Sequence, residues 1–126
     1  MEHRLSVTLP LPPSENRRLI LSRHSRRMIL SQEARQYLND IPIIIKNVLN
    51  KNGCKPLSEY VSVFFTFYFK DNRRRDTQNM YKILCDVLER AGLVTDDKYI
   101  LVQTQKPMII RDLPESKVII EWLRIN

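Results

Sequence analysis

Three arginines, Arg73, Arg74 and Arg75, stand directly before Asp76-Thr77-Gln78-Asn79, and Lys82 follows shortly after. A second acidic pair, Asp96-Asp97, comes after the apolar run beyond Lys82. These residue types suit work on phosphate esters. Guanidinium groups grip phosphate oxygens in a planar fork, and carboxylates hold a hard divalent cation. Such a cation neutralises a scissile phosphate and lowers the pKa of an attacking water, and two or three acids suffice to hold it. Asp76 and Asp97 then fit as metal ligands, Lys82 as the group facing charge that develops in the transition state, and Arg75 as a grip on the neighbouring phosphate. Each part also has an ordinary structural use. An Asp caps many helices, an arginine run is commonly a solvated turn, and Lys82 with Asp86 makes a weak surface pair.

The elements that must position these groups can be read around them. Asp76 is placed to cap a helix in which Met80, Ile83, Leu84, Val87, Leu88 and Ala91 share an apolar face. Gln78, Asn79, Lys82, Asp86 and Glu89 share the opposite one. The first turn of such a helix leaves backbone N–H groups free, so the basic cluster sits where anions are already favoured. Gly92 is the expected stop, and Thr95-Asp96-Asp97-Lys98 is turn chemistry leading into a strand over Tyr99 to Gln105. If that strand runs beside the one before Arg73, Asp97 returns towards Asp76.

Upstream, Leu5 to Leu9 alternates at period two and reads as a first strand, halted by Pro10, Pro12 and Pro13 at a sheet edge. Residues 17–27 hold five arginines and a histidine without strong periodicity, a loop able to close over a phosphate backbone or simply a solvated one. Ser31 caps a helix in which Ala34, Tyr37, Leu38, Ile41, Ile44, Ile45, Val48 and Leu49 recur at helical spacing. Pro42 should bend or divide it, and Lys51-Asn52-Gly53 ends it. From 60 to 69, Val61, Val63, Phe65, Phe67 and Phe69 alternate with Ser62, Phe64, Thr66 and Tyr68, as in a central strand covered on one side and partly on the other. Phe64, Phe67 and Tyr68 also admit a different use, stacking the bases of single-stranded nucleic acid. Val118 to Leu123 is a last strand. The order strand, helix, strand, helix, strand, strand implies an α+β fold, a two-layer sandwich with a mixed sheet.

At 126 residues the chain is expected to be one domain, residues 1–126, with enough apolar content for a core. The formal net charge of +7, gathered at 17–27 and 73–75, favours a polyanionic partner. Cys54 and Cys85 lack zinc or disulfide spacing, and Cys85 beside the apolar helix face reads as packing. His3 and His24 form no metal or triad pattern. Without a membrane-length apolar run or a leader, the chain is expected in the cytoplasm, with no membrane partner.

The sequence resembles the RusA family of Holliday junction resolvases, small phage-derived endodeoxyribonucleases that cut four-way DNA junctions. The likeness runs from Val7-Thr8-Leu9-Pro10 and Pro12-Pro13-Ser14-Glu15-Asn16-Arg17, through Asp71-Asn72-Arg73-Arg74-Arg75-Asp76-Thr77-Gln78-Asn79 and Lys82, to Asp86, Ala91-Gly92 and Asp96-Asp97. It implies a RusA-like fold and a homodimer on branched DNA, resolving four-way junctions by paired symmetric nicks in recombination and repair. It also implies Mg²⁺, with Mn²⁺ as a substitute, held by aspartates with a nearby lysine. Carried over by position, the catalytic residues are Asp76, Lys82 and Asp97, and the metal ligands Asp76 and Asp97, with Asp96 as a further candidate. Where the family has another Asp, this chain has Gln78. A neutral carbonyl there is a weaker ligand than a carboxylate, which implies a weaker or rearranged metal site. DNA contacts are expected from Arg17, Arg18, Arg23, Arg26, Arg27, Arg73, Arg74, Arg75 and Asn79. Two alternatives stand beside the nuclease: a junction-binding protein whose cutting is weakened or lost through Gln78, and a single-strand nucleic-acid-binding module.

Overall fold

The computed structural model describes residues 4–13, 19–21, 28–73, 75 and 77–125, with the backbone alone at 19–21, 28–30 and 79. In chain order the elements are β1 (Leu5–Pro10), β2 (Leu19–Leu21), β3 (Met28–Leu30), α1 (Gln32–Lys51), β4 (Val61–Phe69) and α2 (Gln78–Ala91). A single 3₁₀ turn (Asp97–Tyr99), β5 (Ile100–Gln103), β6 (Met108–Ile109) and β7 (Lys117–Arg124) follow. The sheet runs β1-β7-β4-β5, with β6 also pairing to β4. Its β1–β7 and β7–β4 pairs are antiparallel, while β5 and β6 lie parallel to β4. The fold is therefore α+β with a mixed, five-stranded sheet and two helices.

Alternation decides which face is covered. Val61, Val63, Phe65, Phe67 and Phe69 of β4 are buried, as are Val118, Ile120 and Trp122 of β7 and Val7 and Leu9 of β1. They join the apolar faces of α1 (Ala34, Leu38, Ile41, Ile45, Leu49) and α2 (Met80, Ile83, Leu84, Val87, Leu88) in one core. On the other face Phe64 and Tyr68 are half-buried, each beneath a cation: Arg4 over Phe64 at 4.9 Å and Lys117 over Tyr68 at 5.7 Å. Phe67 is only 1% exposed, so it has no surface on which a base could stack. That removes one of the three aromatics from the single-strand reading.

Capping follows local chemistry at most helix ends. The Ala34 N–H donates to Ser31 Oγ at 3.1 Å, opening α1. Gly92 closes α2 in the left-handed region at φ 90°, where a side chain would be strained. Three features depart from the sequence-based expectations. Helix α1 runs undivided through Pro42, which is buried among its apolar positions, so packing outweighs the lost backbone bond. The arginine-rich 17–27 segment contains β2, which pairs antiparallel with β3 just beyond it, a short pair that its composition did not announce. Helix α2 starts at Gln78, with Thr77 at the cap position and no side-chain cap bond there. Asp76, the expected cap, lies outside the described residues.

Candidate active site

The acidic pair sits on a turn fastened from two directions. Ahead of β4, the Leu57 N–H donates to the Leu93 carbonyl at 3.0 Å and the Thr95 N–H to the Leu57 carbonyl at 3.0 Å. The Ser58 and Thr95 hydroxyls meet at 2.9 Å. From α2, Glu89 Oε2 accepts the Asp97 N–H at 2.6 Å, and Asp96 Oδ1 accepts the Lys98 N–H at 2.9 Å. Carboxylate oxygens of Glu89, Asp96 and Asp97 all lie within 4.8 Å of one another. Sequence reasoning put Glu89 on the polar face of α2 without giving it a role. The available signal was its place in the last turn before Gly92, on the stripe of Lys82 and Asp86, facing the turn that must follow.

Helix α2 carries that stripe from end to end. Gln78, Lys82, Asp86 and Glu89 are spaced to fall along one side, and Lys82 is exposed with no ion pair among the described residues. Cys85 lies beside the stripe and is half-buried against the core. Burial, and after it the carboxylates of Asp86 and Asp97, push its thiol up to about 11. Cys85 thus packs, and it holds its proton at neutral pH.

Strand β5 does run beside β4, but in parallel, with Val61 opposite Ile100. Asp97 therefore returns to the start of β4, whereas the arginine run leaves from its end. From Gln78 to Glu89 is eleven residues of helix, about 16 Å at 1.5 Å per residue. Within one chain, the N-terminal end of α2 and the Asp97 turn stand apart, because a helix linking two neighbouring parallel strands must travel the length of the sheet.

At the end of β4, Asp71 organises the arginine run. Its Oδ1 accepts the Arg73 N–H at 3.0 Å and an Arg75 guanidinium N–H at 2.9 Å. The Arg73 N–H, then the Arg75 guanidinium, hold the Asp71 carboxyl below the usual carboxylate range. Arg75 also stacks over Phe69 at 4.5 Å, and its side chain is only 13% exposed. It is pinned inward, while Arg73 is exposed. Beside it opens a depression of about 690 Å³, lined by Lys70, Arg75 and Lys117 together with Leu9, Leu11 and Pro114. Arg17, Arg18, Arg23, Arg26, Arg27, Arg74 and Asp76 lie outside the described residues, as does the side chain of Asn79.

The family model for endodeoxyribonuclease RusA matches residues 10–121. This chain belongs to the RusA endodeoxyribonuclease family. It is 37% identical over 97 residues, 76% of each chain, to a crossover junction endodeoxyribonuclease RusA of Shigella sonnei, and likewise to one of Escherichia coli strain K12. A relative of the same name from Enterobacteria phage 82 is 35% identical over 96 residues, 75% of each chain. Membership in the RusA family makes the chain a nuclease, a hydrolase, with relatives in phage as well as bacteria.

The RusA family match spans the arginine run, α2 and the acidic turn together. Carboxylate oxygens are the hard donors that Mg²⁺ and Mn²⁺ accept, so the donor set at the acidic turn fits such a cation. Gln78, at the far end of α2, is exposed and offers only a neutral oxygen.

Proposed function

We propose that this chain is a divalent-cation-dependent endonuclease, a single nuclease domain that resolves four-way DNA junctions by paired symmetric nicks. The observation that carries the reading is the triple carboxylate group at Glu89, Asp96 and Asp97, in a member of a nuclease family. Its work belongs to recombination and repair of DNA, in the cytoplasm.

Asp97 and Asp76 would hold Mg²⁺, or Mn²⁺ in its place, with Asp96 and Gln78 as weaker contributors. When bound, the cation neutralises the scissile phosphate and makes the attacking water more acidic. Lys82, unpaired among the described residues, offers its ammonium to charge developing on the phosphate. Arg73 grips phosphate from the end of β4, and Lys70 and Lys117 continue the basic surface. Arg75 is held by Asp71 and Phe69, so its part is to shape the arginine run. In the arginine-rich 17–27 segment, Arg17, Arg18, Arg23, Arg26 and Arg27 would flank the DNA, with Arg74 and Asn79 closer in.

Oxygen ligands sit about 2.1 Å from Mg²⁺, so two ends of one helix roughly 16 Å apart cannot share an ion. A two-fold partner can bring the N-terminal end of its own α2 to this chain's Asp97 turn, and it does so twice. The homodimer thus satisfies both the ion and the substrate, because paired nicks need two sites related by the junction's two-fold axis.

The test incubates a labelled four-way junction and a matching linear duplex with Mg²⁺, Mn²⁺ or EDTA. Symmetric nicks in the junction alone, dependent on the cation, are expected. Gln78 in place of a carboxylate favours one other reading, a junction-binding protein with weakened cutting. Tight junction binding without cleavage at any Mg²⁺ or Mn²⁺ concentration would establish that one instead.

A further inference from the structure

We propose that Glu89 is a positioning residue: by accepting the Asp97 N–H it fixes the turn on which Asp97 is presented, leaving the Asp97 carboxylate available to a ligand. The contact is 2.6 Å long, joining the last turn of α2 to the first residue of the 3₁₀ turn. A carboxylate that accepts a backbone N–H makes a charge-assisted bond, shorter and stronger than a neutral one. The first N–H groups of a short helical turn have no partner within it, so the two that begin this turn need acceptors from outside. Asp96 supplies one, taking the Lys98 N–H at 2.9 Å, and Glu89 supplies the other.

The three clustered acids therefore divide their work. Glu89 and Asp96 spend an oxygen each on the backbone, while the Asp97 carboxylate takes no hydrogen bond from the described residues. Without Glu89 the turn would still be joined to Leu57 through Thr95, two residues earlier, yet Asp97 would lose its direct tie to α2. Since Lys82 and Glu89 share α2, the same bond fixes the Asp97 turn relative to Lys82. A ligand displaced by about 1 Å can cost a hundredfold in rate, which is why a bond remote from the phosphate can matter.

This inference rests on the nuclease reading for its kinetic arm but not for its structural arm. Glu89→Ala and Glu89→Gln are compared with the unaltered dimer, the glutamine keeping a carbonyl acceptor while losing the charge. Three quantities are measured: hydrogen exchange of the Asp97 amide by NMR, junction affinity in Ca²⁺, and the single-turnover cleavage rate. In Glu89→Ala the Asp97 amide should exchange at least about tenfold faster, since the bond to a charged acceptor is gone. Cleavage should fall by a similar factor or more while junction affinity stays within about twofold. Glutamine should recover most of both losses. An alanine variant with unchanged exchange or unchanged cleavage would overturn the proposal. So would a glutamine variant as slow as the alanine one, which would make the charge and not the bond the cause. If the unaltered protein cuts no junction, the nuclease reading fails, and the exchange measurement alone then decides whether Glu89 holds Asp97.

Discussion

Asp97 differs from its acidic neighbours in what its side chain is left free to do. Asp97→Asn keeps the shape and the backbone bond to Glu89 but removes the charge. Cleavage should fall by at least about 100-fold, as when a group facing transition-state charge is removed, while affinity for a four-way junction stays within about twofold. Gel-shift and single-turnover assays on one preparation check both, and a parallel loss of binding would count against Asp97 as a ligand. Gln78→Asp should lower the Mg²⁺ concentration needed for half-maximal rate, because it restores a charged oxygen donor. An unchanged Mg²⁺ titration would place Gln78 away from the ion. Asp97, Lys82 and the arginine run stood out in the sequence because their types are rarely needed together for packing. Glu89 did not, because an exposed glutamate on a helix has no signature until the turn that it caps is seen.

At the scale of elements, most boundaries followed from local chemistry. Ser31 and Gly92 mark helix ends whose geometry matches the residue, and the alternation of residues 61–69 gave the buried face of β4 correctly. No direction was read for β5, so Asp97 was expected to return towards Asp76, although a single helix between two neighbouring strands is the usual mark of a parallel pair. Nor did the arginine-rich composition around 17–27 reveal β2 and β3, since each is three residues long and shows no alternation. Helix α2 also has a property that can be measured directly. Burial raises the Cys85 thiol from 9.0 to about 11, so the folded state keeps a proton that the unfolded chain loses first. Stability contributed in this way is complete below pH 9 and is lost as pH rises towards about 11. Urea titrations should show a decline from this group of about 3 kcal/mol at most across that window. In Cys85→Ala the part of this decline between pH 9 and 10 should be absent, leaving above pH 10 the part set by Tyr37, whose hydroxyl burial also raises from 10.0; a decline that persists below pH 10 would mean that another group titrates.

For the whole molecule, the question is how many chains make one working unit. A basic chain with net charge +7 is suited to DNA, and two copies arranged about an axis would present twice that surface to a four-armed substrate. Sedimentation or light scattering at micromolar protein should give close to twice the chain mass of 15.0 kDa. A strict monomer that still makes paired nicks would contradict the dimer.

The parallel course of β5 beside β4 also bears on how two damaged chains behave when mixed. Asp76 directly precedes Thr77 in sequence, and Thr77 stands at the end of α2 opposite the Asp97 turn. Suppose that each catalytic centre draws Asp76 from one protomer and Asp97 from the other. In a heterodimer of an Asp76→Asn chain with an Asp97→Asn chain, both lesions then fall in one centre and the other is intact. Two preparations that are each inactive should regain cutting when unfolded and refolded together. The product should be a junction nicked on one strand, because only one centre per dimer works. Failure to complement would mean that each chain gathers its own acids, which the separation of the two ends of α2 argues against.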